Sequence, residues 1–225
     1  MTTRLKKKVF EHMYERMLCV GESMVKPPIR KMLDTGYGDG KTTMRFAHLL
    51  DPMQVYGLDI HPETMRLASR RIIKRSEDLN NPFSFEDDQF DFLLSNQVIE
   101  HLINVRKYLS ECYRVLRSGG QILIMTESLS SLLNIACLAL GWQPFSLVNH
   151  SGWIIGNPLM SETEGDKEYA KTHMHYYDDN NMGLLGHVGV FTPRAIRDMM
   201  VRTGFVHVSI KTVYTHFVVA YGKKP

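Results

Sequence analysis

Apolar residues recur at helical spacing over 8–22, where Val9, Met13, Met17 and Val20 share one face, so the chain is expected to open with an amphipathic helix that covers a core. Pro27 and Pro28 break that pattern. The apolar stretch 29–34 then reads as a short buried strand running straight into Thr35-Gly36-Tyr37-Gly38-Asp39-Gly40. Helical spacing resumes over 41–50, 54–60 reads as a second strand, and Pro62-Glu63 opens a helix expected to reach at least Arg71. Further along, 90–95 is a buried strand, 105–116 a helix closed by Ser118-Gly119-Gly120, and 121–126 another strand. Thr192 and Pro193 suit the N-cap and first position of a helix that closes at Gly204. Strands over 206–213 and 216–221, separated only by Tyr214 and Thr215, can pair as a hairpin. The alternation predicts an α/β fold: a doubly wound, mainly parallel sheet with helices on both faces and an antiparallel strand at its C-terminal side.

One stretch departs from this rhythm. Residues 127–190 hold a short apolar helix and then a long run rich in Gly, Asn, Asp and His without clear period. A loop of that length inside a compact domain is usually functional or disordered. The expected organisation is therefore a single domain over 1–225, with 1–28 as an N-terminal helical cover and 127–190 as an insertion over the site.

Composition narrows the partners. The 225 residues carry a formal net charge of only +3, so nothing announces a nucleic acid, and a small molecule is the better expectation. The basic cluster Arg66, Arg70, Arg71, Lys74 and Arg75 reads as a solvated helix face. Cys19, Cys112 and Cys137 show neither CxxC nor Cys/His spacing, which argues against a disulfide framework or structural zinc and fits a reducing cytosol. The basic N-terminus lacks a following apolar core of a signal peptide, and the apolar run 129–142 is interrupted by Ser130, Ser131 and Asn134. No export, no membrane span and a cytoplasmic location are expected.

The glycine turn lies where a doubly wound sheet binds ligands, and it tests three cofactor classes. A dinucleotide fingerprint fails because Lys41 stands at its last position. A P-loop fails because Thr35 stands where its first glycine is required. What remains is the DxGxGxG pattern of Asp34 to Gly40. It is followed by Asp59 at the end of the second strand, Pro82-Phe83 leading to Phe90-Asp91, Glu100-His101-Leu102, and Arg114-Val115-Leu116 leading to Gly119-Gly120. With these motifs in this order the chain resembles the class I methyltransferases that use S-adenosylmethionine (SAM), of the type 11-like family, over most of its length. That resemblance implies a Rossmann-like methyltransferase sheet and SAM as cofactor.

The resemblance also assigns roles. Gly36, Tyr37 and Gly38 would line the methionine part, and Asp34 would orient the turn and attract the ammonium. Asp59 would hold the ribose, although it could instead cap the next helix; Ile60 would pack on the adenine, and Asn96 would lie under the methionine. The family's third strand normally ends in an acidic residue that reaches the adenine, but the short span from Asp59 to Asp91 implies a shortened third-strand region at 72–74. Ser76 then stands at the acidic position, with Ser76 or Glu77 left to contact the base.

Methyl transfer from a sulfonium needs positioning above all, and a base only where the acceptor is a hydroxyl. His101, beside the fourth strand's exit, and His187 are the candidate bases, although either could be structural. Asn96-Gln97-Val98-Ile99 lacks the Pro-Pro-aromatic run of amide and adenine methylating enzymes, and none of the cysteines follows a proline as cytosine methylation requires. The insertion gathers His150, His173, His175 and His187 with Trp153, Tyr169, Tyr176 and Tyr177, which suits a small polar or saccharide-like acceptor, methylated at oxygen. His173, His175, Asp178 and Asp179 read as part of a polar loop, and no metal site is expected. Two alternatives stay open: a quinone or lipid-like acceptor lying along the apolar helix, and a SAM-binding protein without turnover.

Overall fold

The computed structural model describes residues 3–60, 66–147, 149–150, 153–154, 156–160 and 187–225; the side chains of 3–7, 149–150 and 153–154 are outside that description. Helix α1 (Thr3–Glu22) leads into β1 (Lys31–Thr35), α2 (Lys41–Leu50), β2 (Gln54–Asp59) and β3 (Ile72–Ser76). Then come β4 (Phe90–Asn96), a 3-10 turn at Ile99–His101, α3 (Val105–Val115) and β5 (Leu116–Glu127). Helix α4 (Leu132–Ala139), a 3-10 turn at Phe145–Leu147 and the small hairpin of β6 (Asn149–His150) and β7 (Trp153–Ile154) precede α5 (Pro193–Thr203), β8 (Val206–Val213) and β9 (Phe217–Lys223).

Seven strands form one sheet in the order β3-β2-β1-β4-β5-β9-β8. The first five are parallel, and β9 pairs antiparallel with both β5 and β8, as the hairpin reading expects. Alternate side chains of each strand feed opposite faces. Leu33, Leu93, Ile122, Ile124, Val218 and Ala220 pack under α3 and α5, while Met32, Phe92, Leu94, Leu123, Met125 and Val219 meet Met17 and Leu18 of α1 and Phe46 of α2. Helices therefore cover both faces.

The motif residues knit this frame together. Asp91 Oδ2 accepts the backbone N–H groups of Arg30 and Lys31 at 2.9 and 2.6 Å, and Arg117 closes on its other oxygen, so a carboxylate on the buried strand β4 anchors the start of β1. Arg114 donates to the carbonyls of Phe83 and Phe85 at 3.0 and 2.7 Å and to Glu111 and Asp87. The Phe83-Phe90 connection is thereby tied to α3. Tyr108, fully buried, links Thr35 of β1 and Ser95 of β4 through its hydroxyl at 2.6 and 2.7 Å. Helix α5 is capped as expected, with Ala195 N–H donating to Thr192 Oγ1 and Gly204 in the left-handed region.

Several boundaries differ from the sequence reading, among them β1, which runs Lys31–Thr35 rather than 29–34. The helix opening near Pro62 falls partly on 61–65, outside the described residues, and its helical geometry ends at Leu67 rather than reaching Arg71. The reason is β3, which must begin at Ile72 to pair with Val55. That strand has five residues and ends at Ser76, opposite Asp59, so the compression of this region falls on its connections. Glycines 119 and 120 do not close α3 either. The helix ends at Val115, β5 begins at once, and the glycines sit in an irregular stretch between the Phe90–Leu116 and Phe92–Gln121 pairs.

Within 127–190, the polar interruptions of the apolar run are anchors. Ser131 caps α4, and buried Asn134 donates to the Ser128 carbonyl and Ser146 Oγ, both at 3.0 Å. Leu132, Leu133, Ile135, Leu138 and Leu140 remain exposed among the described residues.

Candidate active site

The strand order reverses between β1 and β4, and the glycine turn lies at the C-terminal ends of the strands at that switch point. Gly36 N–H donates to the Leu58 carbonyl at 2.7 Å, Gly38 N–H to Asp59 Oδ2 at 2.8 Å, and Gly40 N–H to the Tyr37 carbonyl at 2.9 Å. Asp59 thus braces the turn from β2. Gly36 has φ 72°, and a Cβ there would stand 2.5 Å from Val98 Cγ2, so this position excludes a side chain. Gly38, at φ 53°, faces open space: nothing lies within 4 Å of where its Cβ would be.

Asp34 ends up buried at the base of the turn. Thr43 Oγ1 donates to its Oδ2 at 2.6 Å, while Oδ1 has no hydrogen-bond partner among the described residues. Burial, with the Asp59 charge adding to it, pushes the Asp34 carboxyl up to about 8 despite the Thr43 bond. Asn96 closes the other side. Its Nδ2 donates to the Tyr14 hydroxyl of α1 at 2.7 Å, and its Oδ1 is buried without a partner among the described residues.

Two expected contacts come out differently. The Tyr37 ring does not line an open site: it is buried with Ala47, Val55, Ala68 and Ile72, and takes the space that a side chain at Gly57 would need. A large ring on a turn with a small residue opposite finds more apolar contact in the core than in the cleft. The Glu77 carboxylate is engaged by the Ser84 N–H at 3.0 Å and by the Ser84 hydroxyl, which turns it toward the loop before β4. Ser76 is exposed at the end of β3, and Ile60 is partly exposed just past β2.

The two candidate bases are brought together. His101, in the turn after β4, and His187, far along the chain, have ring centroids 4.9 Å apart in an edge-to-face arrangement. Val188 and Gly189 N–H groups both donate to the Glu100 carbonyl, at 2.7 and 3.1 Å, which seats the His187 segment against the turn. His187 Nδ1 donates to the Ser146 carbonyl at 2.6 Å. Sequence reasoning treated Glu100 only as part of the Glu-His-Leu motif, yet it is wholly buried beside both rings. Its Oε2 accepts from Thr126 at 2.7 Å, Oε1 has no partner among the described residues, and burial pushes the carboxyl up to about 7. Glu127 lies 3.9 Å from both His187 and His216. His173, His175, Asp178 and Asp179 fall outside the described residues.

Comparison with known proteins fits this geometry. Residues 33–124, from the strand before the glycine turn to the strand after α3, match the sequence family described as a methyltransferase domain. Over that segment the chain is similar to methyltransferase domains. Ajmaline N-methyltransferase of Rauvolfia serpentina is 33% identical over 108 residues, 44% of this chain and 36% of that protein. The mitochondrial ubiquinone biosynthesis O-methyltransferase of Rattus norvegicus is 29% identical over 112 residues, 45% of this chain and 32% of that protein. The match therefore spans about a third of those relatives' length. The domain's fold is also that of Haemonchus contortus phosphoethanolamine N-methyltransferase 2, solved with phosphomonomethylethanolamine and S-adenosylhomocysteine, at TM-score 0.61 and 16% identity over 94% of this chain and 53% of that one. The matched segment ends before residues 127–190, and His187 lies outside it. Among the described residues, no helix is long and apolar enough to cross a membrane.

Proposed function

We propose that this methyltransferase domain moves the methyl group of SAM to an oxygen of a small polar or saccharide-like acceptor. The observation that carries the cofactor assignment is the turn itself: open space above Gly38, Asp59 braced beside it, and a buried Asp34 oxygen without a partner among the described residues. Those features fit an amino-acid ammonium near Asp34 and a ribose near Asp59, because a buried carboxylate is stabilised by a cation brought against it. Gly38 gives the backbone close approach, Asn96 offers its unmatched carbonyl oxygen, and Ile60 and Ser76 are assigned to the base, with Glu77 held back by Ser84.

SAM, when bound, supplies a methyl on a positively charged sulfur, so no protein group has to act as the nucleophile. What the chain contributes is placement. Tyr14 and α1 close one side through Asn96, while His101 and His187 stand together at the C-terminal end of β4 as the groups that act on the acceptor's hydroxyl. Residues 127–190 are read as the cover that selects the acceptor, since His187 enters from that segment.

A second reading has an observation of its own. The exposed leucines and isoleucine of α4 give an apolar surface suited to a quinone or lipid-like acceptor.

Calorimetry with SAM and S-adenosylhomocysteine tests the cofactor. Wild type is expected to bind both, and Asp59→Ala to weaken binding by about tenfold or more through loss of a charge-assisted contact and of the turn's brace. Unchanged binding in that variant would remove the assignment. Methyl transfer from labelled SAM to a panel of sugar nucleotides and quinones then separates the two acceptor classes, and SAM binding without transfer to any of them would favour the non-catalytic alternative.

A further inference from the structure

We infer that Glu100, His101 and His187 form a binding site for a divalent first-row transition cation. Each offers one ligand atom, and these atoms all lie within 4.8 Å of one another. A cation bound at about 2.1 Å needs its ligand atoms roughly 3 to 3.4 Å apart, so small side-chain rotations close the set.

Two independent observations point to a ligand here. Glu100 is wholly buried, and its Oε1 has no hydrogen-bond partner among the described residues while Thr126 holds Oε2. An acceptor oxygen kept from water in that state is costly unless a cation or donor meets it. The second observation is how the His187 ring is held. Its Nδ1 donates to the Ser146 carbonyl at 2.6 Å, so the ring is held by a main-chain oxygen, the support that ligating histidines commonly have. Glu127, close to His187, adds negative charge beside the set.

The ligand types choose the ion. Two imidazoles and one carboxylate suit Zn²⁺, Fe²⁺ or Mn²⁺ better than Mg²⁺ or Ca²⁺, which prefer oxygen-only ligation. Three protein ligands leave positions open, as catalytic rather than structural sites do. An acceptor hydroxyl occupying one of them would be held beside β4 and made more acidic by the cation. This use of the ion rests on the methyl-transfer reading above, whereas metal binding itself does not.

The test is titration of Co²⁺ into the untagged 225-residue chain, followed by visible ligand-field absorption, with S-adenosylhomocysteine binding measured on the same samples. A single saturable site is expected. His187→Ala and Glu100→Gln should each weaken Co²⁺ binding by more than about tenfold, because even outer partners of a metal site carry effects of that size. If Glu100→Gln fails to fold, His187→Ala, on a partly exposed side chain, decides alone. Absence of the bands in wild type, or bands unchanged in His187→Ala, would overturn the site. Loss of S-adenosylhomocysteine binding with Co²⁺ binding intact would instead refute only the cofactor assignment.

Discussion

Asp34 joins the local sequence to the energetics of the site more directly than any other residue here. Its carboxyl is pushed from 3.8 to about 8 by burial, so between those values the folded chain holds a proton that the unfolded chain has released. Stability of the ligand-free protein from this group is complete below about pH 4 and is lost as pH rises through 8. Melting temperatures measured from pH 5 to 8 should fall with increasing pH, and Asp34→Asn should flatten that slope, since an amide cannot ionise. His187 gives a second prediction at this scale. His187→Asn should lower turnover by about a hundredfold or more while leaving S-adenosylhomocysteine affinity within about twofold, because in the proposed reading its ring acts on the acceptor rather than on the cofactor. Steady-state kinetics with calorimetry on the same variant checks both halves. Sequence alone marked Asp34, Asp59 and the two histidines. It could not mark Glu100 as buried and half-satisfied, because burial depends on Thr126 and on the segment after His187, neither of which is near Glu100 in the chain.

Among the elements, α1 and the Arg114 cluster do the most to hold the frame. Periodicity was enough to place α1, with Met17 on its inner face, and that side chain is fully buried against the sheet. Met17→Ala should cost about 2 to 5 kcal/mol in equilibrium urea unfolding, the range for deleting a long apolar side chain from a packed core. Arg114 was legible only as part of a family motif, and its physical purpose appears in three dimensions: its guanidinium takes two main-chain carbonyls and two carboxylates. Arg114→Ala should therefore destabilise the chain by about 2 kcal/mol or more by the same measurement, with Arg114→Lys recovering only part, because a single ammonium cannot span that fork. Boundaries were less legible than elements. The end of the helix before β3 follows from the pairing of Ile72 with Val55, and the glycines at 119 and 120 belong to a strand irregularity rather than a helix end.

Across the whole molecule, alternating apolar strands and amphipathic helices determined a doubly wound sheet, and the glycine turn with Asp59 and the later motifs, in that order, carried the resemblance that implies SAM. Both are carried by local spacing: a strand needs period two, a helix needs its 3.6-residue face, and a turn that brings backbone to a ligand needs glycine within a few residues. Tertiary structure alone decided where the side chains go once those elements pack. It drew the Tyr37 ring into the core, turned Glu77 to Ser84, tied Asn96 to Tyr14, and set His187 beside His101 and Glu100. Each of these is a contact between residues whose separation along the chain carries no information about their distance. The physical reason is that burial and hydrogen bonding are settled by the competition of all elements for the same interior, and that competition has no counterpart in local spacing.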